Sequence, residues 1–482
     1  MWRFPLAALV VWGGVSAGPA LMARQPAEVA YRLVYATAGQ PVVDVSIDWA
    51  APLPGPTTFV MPRAIPMGYG EQHYDAFLQD VRGVLTDGRT EALTRDEGPR
   101  WGLPRGTTGV RYRVDLVALE REILAASDQS RVRDGYLGAL GYSVFGYVDG
   151  QEARPATLVV EGPPGWPVFS TLGPVWPVPT APVEARAPDF YALADSQIVM
   201  GPRADIRRLA DRPVPLYLAA YAEGPVDLDR IGRLAATAFA RVIAYFGTVP
   251  FAHYTVHQEL LAPLTPKHEY GMSMEHLDSS TYYLAASSGL TDASPPAEEA
   301  RVLYNFAHHM AHAWVPKRAY GRGYFPFTWE LAPVIDTIWF AEGWGQYAAI
   351  VAVADGMPDP PAYRQGMLDR RFRPNVAGAP AFLKRLPLIE LSRVASTRYS
   401  EDFRTGRLVF SRGGLMAAEV DEHIRAATNG QRSLRDALRH LVAWTGREGR
   451  GFADTDELVR LIREATGVDT RAVIDRWLAP LP

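Results

Sequence analysis

The chain has 482 residues, long enough for two or three separate cores, with 48% hydrophobic and 21% charged residues, ordinary globular usage. A formal net charge of −4 offers no basic surface for nucleic acid. The lack of cysteine excludes disulfides and thiolate ligands, so any zinc must rest on histidine and carboxylate.

In chain order, the stretch MWRFPLAALVVWGGVSAGPALMA carries one Arg, an apolar run from Phe4 to Ala17, then small residues. Residues 1–23 read as an export signal, cut after Ala17 or Ala23. An uncut anchor is the alternative, but the run is short and broken by Pro5, Gly13 and Gly14. The expected location is secreted or periplasmic, with no stable membrane span after cleavage. From Ala27 to about Val160 the segments YRLVYAT, VVDVSIDWA, TTFVMP, VRYRVDLVAL and ATLVVEG are short, often alternating and separated by turn residues. They predict an antiparallel, sandwich-like β domain over 24–224. Residues 162–188 are dense in Pro and Gly, either a linker or an irregular edge of that domain. SQIVMG and VPLYLAAYAEG read as further strands.

At Val226 the period changes. Leu228, Ile231, Ala235, Phe239, Val242 and Phe246 recur at three- and four-residue steps, predicting an amphipathic helix over 227–246 that stops at Gly247. A strand, YTVHQELL, follows, then YGMSMEHLDSSTYYLAA. Helices are predicted over 296–315, 335–354, 407–428, 433–445, 454–466 and 469–479, with Ser433 and Asp454 or Thr455 as N-caps. The fold class is therefore α+β: the β domain first, then a mainly helical part, 225–360 and its continuation 361–482.

The segment YNFAHHMAHAW, 304–314, places His308 and His312 one helical turn apart on one face, where both imidazoles can reach one ion. Alone the pair is weak, and a core or surface histidine pair is the plain alternative. Thirty residues on, Glu342 stands among Trp339, Phe340, Trp344 and Tyr347. A carboxylate there is costly to bury without a cation or donors. Two His and one Glu leave a tetrahedral ion one open position, the catalytic kind of site. An exposed Glu342 paired with an arginine is the alternative.

The order HxxxH-x-W-x-x-K-R…W-F-A-E-G-W, with Trp314, Lys317, Arg318 and Trp339 through Gly343 in step, resembles the glycyl aminopeptidase family. This is metallopeptidase family sixty-one, in the gluzincin clan. YGMSMEHLDSS is similar to that family's Y-G-G-L-E-H-R-x-S strand, and YALADSQIVMG (191–201) to its L-x-D-S-P-x-x-x-G segment. FVMPRAIPMGYG (59–70) resembles its L-P-x-W-x-P-G-x-Y turn, and the stretch from Arg412 to Leu441 its K-G-x-L…S-L-D-D-x-M-R-x-L. The resemblance implies a thermolysin-like peptidase domain with one zinc ion on His308, His312 and Glu342. It also implies a peptide or protein N-terminus gripped by Glu275, with His276 and Gly271 on the substrate-binding strand. The family usually continues into a PDZ domain, which this chain is expected to lack.

The departures concern catalysis. In the family a glutamate is the second residue of the pentad and serves as general base; here it is His309. The tyrosine of Y-x-K-G, donor to the oxyanion, aligns with Phe410 in FSRG. The substrate strand is one residue longer, Gly271-Met272-Ser273-Met274, and Leu277 replaces its Arg. Losing a general base costs about 10²–10⁴-fold and losing one oxyanion donor about 10²–10³-fold. The expectation is a zinc-binding protein of peptidase descent with weak or no peptide hydrolysis, a pseudoenzyme. The alternative is an active aminopeptidase using zinc-activated water with His309 as substitute base. A third is the fold surviving without metal. Lys317 and Arg318 are read as capping the C-terminus of the metal helix, and His268 as a loop residue.

Overall fold

The computed structural model describes residues 28–123, 129–398 and 402–481. The export signal expected over 1–23 lies outside them.

Short alternating segments form the first part, as their pattern requires. In Val42–Trp49 every second side chain is buried, so one face of the sheet is core and the other is wet. The main sheet has seven strands in the order Val183–Ala187, Ala156–Glu161, Val29–Val34, Val42–Trp49, Thr107–Asp115, Leu78–Leu85, Thr90–Ala92. Sheets of three and four strands complete this part. The expectation of a wholly antiparallel domain is corrected at one place: Val29–Val34 runs parallel to Ala156–Glu161. Between them the chain forms four other strands of the main sheet and strands of the smaller sheets before it re-enters in the same direction. The Pro- and Gly-dense stretch is an irregular edge, since Val183–Ala187 joins the main sheet. VRYRVDLVAL is not one strand. It ends at Asp115, whose carboxylate accepts the Ala118 N–H at 2.9 Å and starts the helix Leu116–Glu122.

A five-stranded sheet follows, ordered Asp205–Ala210, Leu216–Ala222, Tyr254–Leu261, Ser279–Ala285, Gly271–Glu275. The boundary drawn at 224 falls inside it, between the paired strands Leu216–Ala222 and Tyr254–Leu261. Gly271–Glu275 pairs antiparallel to Ser279–Ala285 and forms one edge of the sheet.

Helices cover this sheet. Leu228–Phe246 starts at Asp227, whose side chain accepts from the Arg230 N–H, and ends at Gly247 with φ 74°, a left-handed cap that glycine adopts without strain. Its buried face is Ile231, Ala235, Phe239, Val242 and Phe246, as its period predicts. Pro296–His312 packs beside it, within the same core. The helix expected over 335–354 opens only at Ile338, first as a π-helical turn over Trp339–Trp344 and then as Gly345–Ala354. The long helix Phe403–Ala427 crosses that turn closely. A Cβ at Gly413 would stand 2.1 Å from the Trp339 carbonyl oxygen, so only glycine permits the approach. Leu434–Glu448 and Thr455–Thr466 match the capped segments read in the sequence, and Arg471–Leu478 lies within the helix predicted over 469–479. The fold is α+β. Among the described residues no helix is long and apolar enough to cross a membrane.

Candidate metal centre

His308 and His312 project, one turn apart, from the C-terminal end of Pro296–His312, and Glu342 from the π turn that faces it. Their side chains converge. Nε2 of His308 lies 2.8 Å from Nε2 of His312, and Oε2 of Glu342 lies 3.6 Å from the first and 3.5 Å from the second. One ligand atom from each falls within 4.8 Å of the others, and all three residues are buried. The alternative of an exposed Glu342 paired with an arginine does not hold, as it is 5% exposed and faces imidazoles.

The electrostatics follow from this crowding. Burial opposes ionisation of Glu342, but His312 and the closeness of both imidazoles outweigh it and hold the carboxyl well below the usual range. Burial likewise opposes charging of His312, yet Glu275 and Glu342 outweigh it and raise the imidazole to about 9. Burial, with His309 and His312 beside it, pushes His308 down to about 3. Without metal, the proton therefore sits on His312. Its Nδ1–H donates to the Val315 carbonyl at 2.7 Å, which leaves Nε2 as the coordinating nitrogen once that proton is lost. Gln346 donates to Glu342 Oε2 at 3.4 Å.

This donor set fits zinc. Two imidazole nitrogens and one carboxylate oxygen face a common point, the carboxylate is buried in an aromatic setting, and both the tautomer and the carboxylate have outer partners. A dication there would compensate the buried charge.

His309 points to the neighbouring strand. Its Nε2 lies 2.8 Å from Ser273 Oγ, its Nδ1 lies 3.5 Å from Glu275 Oε2, and its ring is 4.5 Å from that of His308. Burial lowers its affinity for a proton, with Glu275 opposing. Glu275 is itself held down at about 2: burial raises it, but His312 and His309 win. Thus Glu275 is beside the cluster, on the face of the edge strand that also carries Ser273 and Gly271. Gly271 sits at the exposed start of that strand, where a Cβ would meet nothing.

His276 is elsewhere, and its expected place on the substrate side is corrected. Nδ1 lies 3.1 Å from Asp195 Oδ1 and Nε2 lies 3.2 Å from Thr281 Oγ1, so both nitrogens are engaged within the fold. Asp195 also accepts the Leu277 N–H at 2.6 Å, and Ser279 donates to Gln197 at 2.6 Å. The 191–201 segment therefore holds the turn between Gly271–Glu275 and Ser279–Ala285. Phe410 is buried in the long helix and lines a cavity with Gln346 and Arg371; its ring lies 6.4 Å from that of Tyr69. Arg318 caps the metal helix, donating to the Ala313 carbonyl at 2.6 Å. Lys317 does not; it donates to the Pro66 carbonyl at 2.8 Å and so ties the helix end to the first domain.

The sequence did not point to Ser273, Gln346, or the buried hydroxyl pair Tyr69–Tyr324, 3.3 Å apart. The one available signal for Ser273 was the extra residue in its strand.

Comparison with known proteins bears on the first domain and on the fold. Residues 30–202 match the Peptidase M61 N-terminal domain. The chain is similar to an aminopeptidase N family protein from Idiomarina loihiensis: TM-score 0.82, 19% identity, over 94% of this chain and 76% of that one. It is also similar to an M1 zinc metallopeptidase from Deinococcus radiodurans, at TM-score 0.53 and 16% identity, over 95% of both chains. A mutant of that protein bound to a Tyr-Ser-Ala substrate gives TM-score 0.55 and 15% identity, again over 95% of both chains. No curated protein matches the chain.

Proposed function

We propose that this chain, an M61-like metallopeptidase-family protein, holds one zinc ion on His308, His312 and Glu342, receives a peptide N-terminus, and hydrolyses peptides weakly or not at all. The observation that carries the reading is the buried Glu342 carboxylate, 3.6 and 3.5 Å from the two imidazole nitrogens. When bound, zinc supplies Lewis-acid polarisation of a carbonyl and activation of water. The protein's own groups do the rest. The edge strand Gly271–Glu275 offers its free side for pairing with an extended peptide, and the ionised Glu275 meets the free amine. The Tyr-Ser-Ala substrate of the Deinococcus relative is a ligand of this class.

The proton chemistry is where the site falls short. A carboxylate base takes a proton from water and passes it to the leaving amine. His309 stands in that place with its Nε2 against Ser273. Phe410 has no hydroxyl to give an oxyanion. We also infer export, from the signal-like residues 1–23.

A second reading, an active aminopeptidase with His309 as base, is favoured by the burial that keeps His309 neutral and able to accept a proton. A peptide-library digest with zinc-loaded protein decides between them. The expected result is no cleavage above background for the natural chain. His309→Glu should raise turnover about 10²–10⁴-fold, and adding Phe410→Tyr a further 10²–10³-fold, not necessarily additively. Efficient N-terminal trimming by the natural chain would overturn the first reading in favour of the second.

A further inference from the structure

The substitution that removes the carboxylate base also builds something. Ser273 and Glu275 are two apart on one strand, so their side chains share a face. His309, from the facing helix, lies between them. Its Nε2 is 2.8 Å from Ser273 Oγ and its Nδ1 is 3.5 Å from Glu275 Oε2. The carboxylate favours the tautomer with the proton on Nδ1, which turns the Nε2 lone pair to the serine hydroxyl. The second distance exceeds a good hydrogen bond, a looseness common in unliganded sites. The acid and the base are buried, at 4% and 7% exposure, while Ser273 is partly open on the edge strand. Among the described residues the strand has no neighbour on its outer side, so its outward N–H groups can face an incoming carbonyl oxygen.

We propose that Ser273, His309 and Glu275 form a nucleophile–base–acid relay that transfers acyl groups from carboxylic esters through an acyl-serine at position 273.

In the first half, Ser273 Oγ bonds to the ester carbonyl carbon as its proton moves to His309 Nε2. The tetrahedral adduct then collapses, the ester C–O bond breaks, and His309 returns the proton to the departing alkoxide. In the second half a water gives its proton to His309 and its oxygen to the acyl carbon. The acid leaves and Ser273 regains its proton. Glu275 holds the imidazole and offsets its transient charge without taking the proton itself. No metal takes part, so the relay does not depend on the zinc reading above. An ester is the substrate class because its alkoxide leaves more readily than an amine, and the relay asks for no separate oxyanion side chain.

The full chain is tested with a fluorophosphonate probe, followed by peptide mass mapping. Ser273 Oγ displaces fluoride from phosphorus and His309 takes the proton. The expected result is one adduct, on Ser273, formed equally in zinc-loaded and zinc-stripped protein. Ser273→Ala should abolish it. His309→Ala should slow it about 10²–10⁴-fold, and the near-isosteric Glu275→Gln about 10²-fold or more. Absence of a Ser273 adduct, labelling at an unchanged rate in Glu275→Gln and His309→Ala, or loss of labelling on zinc removal would each overturn the relay. Loss of zinc binding with labelling intact would remove the zinc reading alone.

Discussion

In the zinc site proposed above, His312 sets the chemistry of metal uptake. In the metal-free protein Glu275 and Glu342 hold its proton on up to about 9, against the effect of burial. Zinc needs the Nε2 lone pair, so below pH 9 binding must displace that proton. The sign is therefore fixed: affinity rises with pH. The apparent Kd for zinc should fall about tenfold per pH unit between pH 7 and pH 9, then level off, measured by competition with a chromogenic chelator. Glu342→Gln removes a charged ligand and one of the groups that raises His312. It should weaken zinc binding at pH 7 by 10²-fold or more and flatten the pH slope, read in the same titration. The spacing of His308 and His312 was legible because helical geometry alone puts them on one face. Ser273 and Gln346 were not, because their roles depend on which strand or helix stands opposite.

The turn that carries Glu342 is held by another helix. Phe403–Ala427 crosses the π turn Trp339–Trp344 so closely that Cβ atoms at Gly413 or Gly343 would lie 2.1 and 2.4 Å from the opposite backbone. Gly413→Ala must therefore push the helix away. A loss of about 1–3 kcal/mol in urea denaturation is expected, with weaker zinc binding, since Glu342 moves with the turn. Much of this layer was readable from sequence. Helices with clear periods and caps, such as Leu228–Phe246 and Leu434–Glu448, fall where their residues place them. The π turn was not readable, because its cause is the close crossing and not local propensity. The short helices between Pro360 and Arg398 also went unread, since Pro, Gly and Arg interrupt any period there.

At the scale of the molecule, a buried ionic cluster joins the first domain to the sheet that carries the site. Glu259, on Tyr254–Leu261, pairs with Arg131 and accepts from Tyr136 at 2.5 Å, with His257 Nε2 3.1 Å away. Burial opposes its charge, but Arg131 and His257 outweigh it and hold it at about 2. A carboxyl so depressed contributes stability that is present above its ordinary value near 4.5 and is lost as pH falls toward 2. Glu259→Gln leaves Arg131 buried without that partner and should cost about 3–5 kcal/mol at pH 7. The difference from the natural chain should narrow between pH 4.5 and pH 2, followed by urea denaturation across that range. Trp329, between Pro296–His312 and the π turn, also binds the first domain, its carbonyl accepting from the Arg63 and Ala64 N–H groups. The boundary read at 224 marks a change of periodicity in the sequence, but the hydrogen-bonded sheet runs across it. The whole assembly serves to bring one carboxylate to two imidazoles, and zinc K-edge X-ray absorption on the reloaded full chain tests that most directly. One zinc per chain is expected, with two imidazole nitrogens and a carboxylate oxygen at about 2.0–2.2 Å, the oxygen shell altered in Glu342→Gln. Failure to retain zinc, or a spectrum without imidazole scattering, would contradict it.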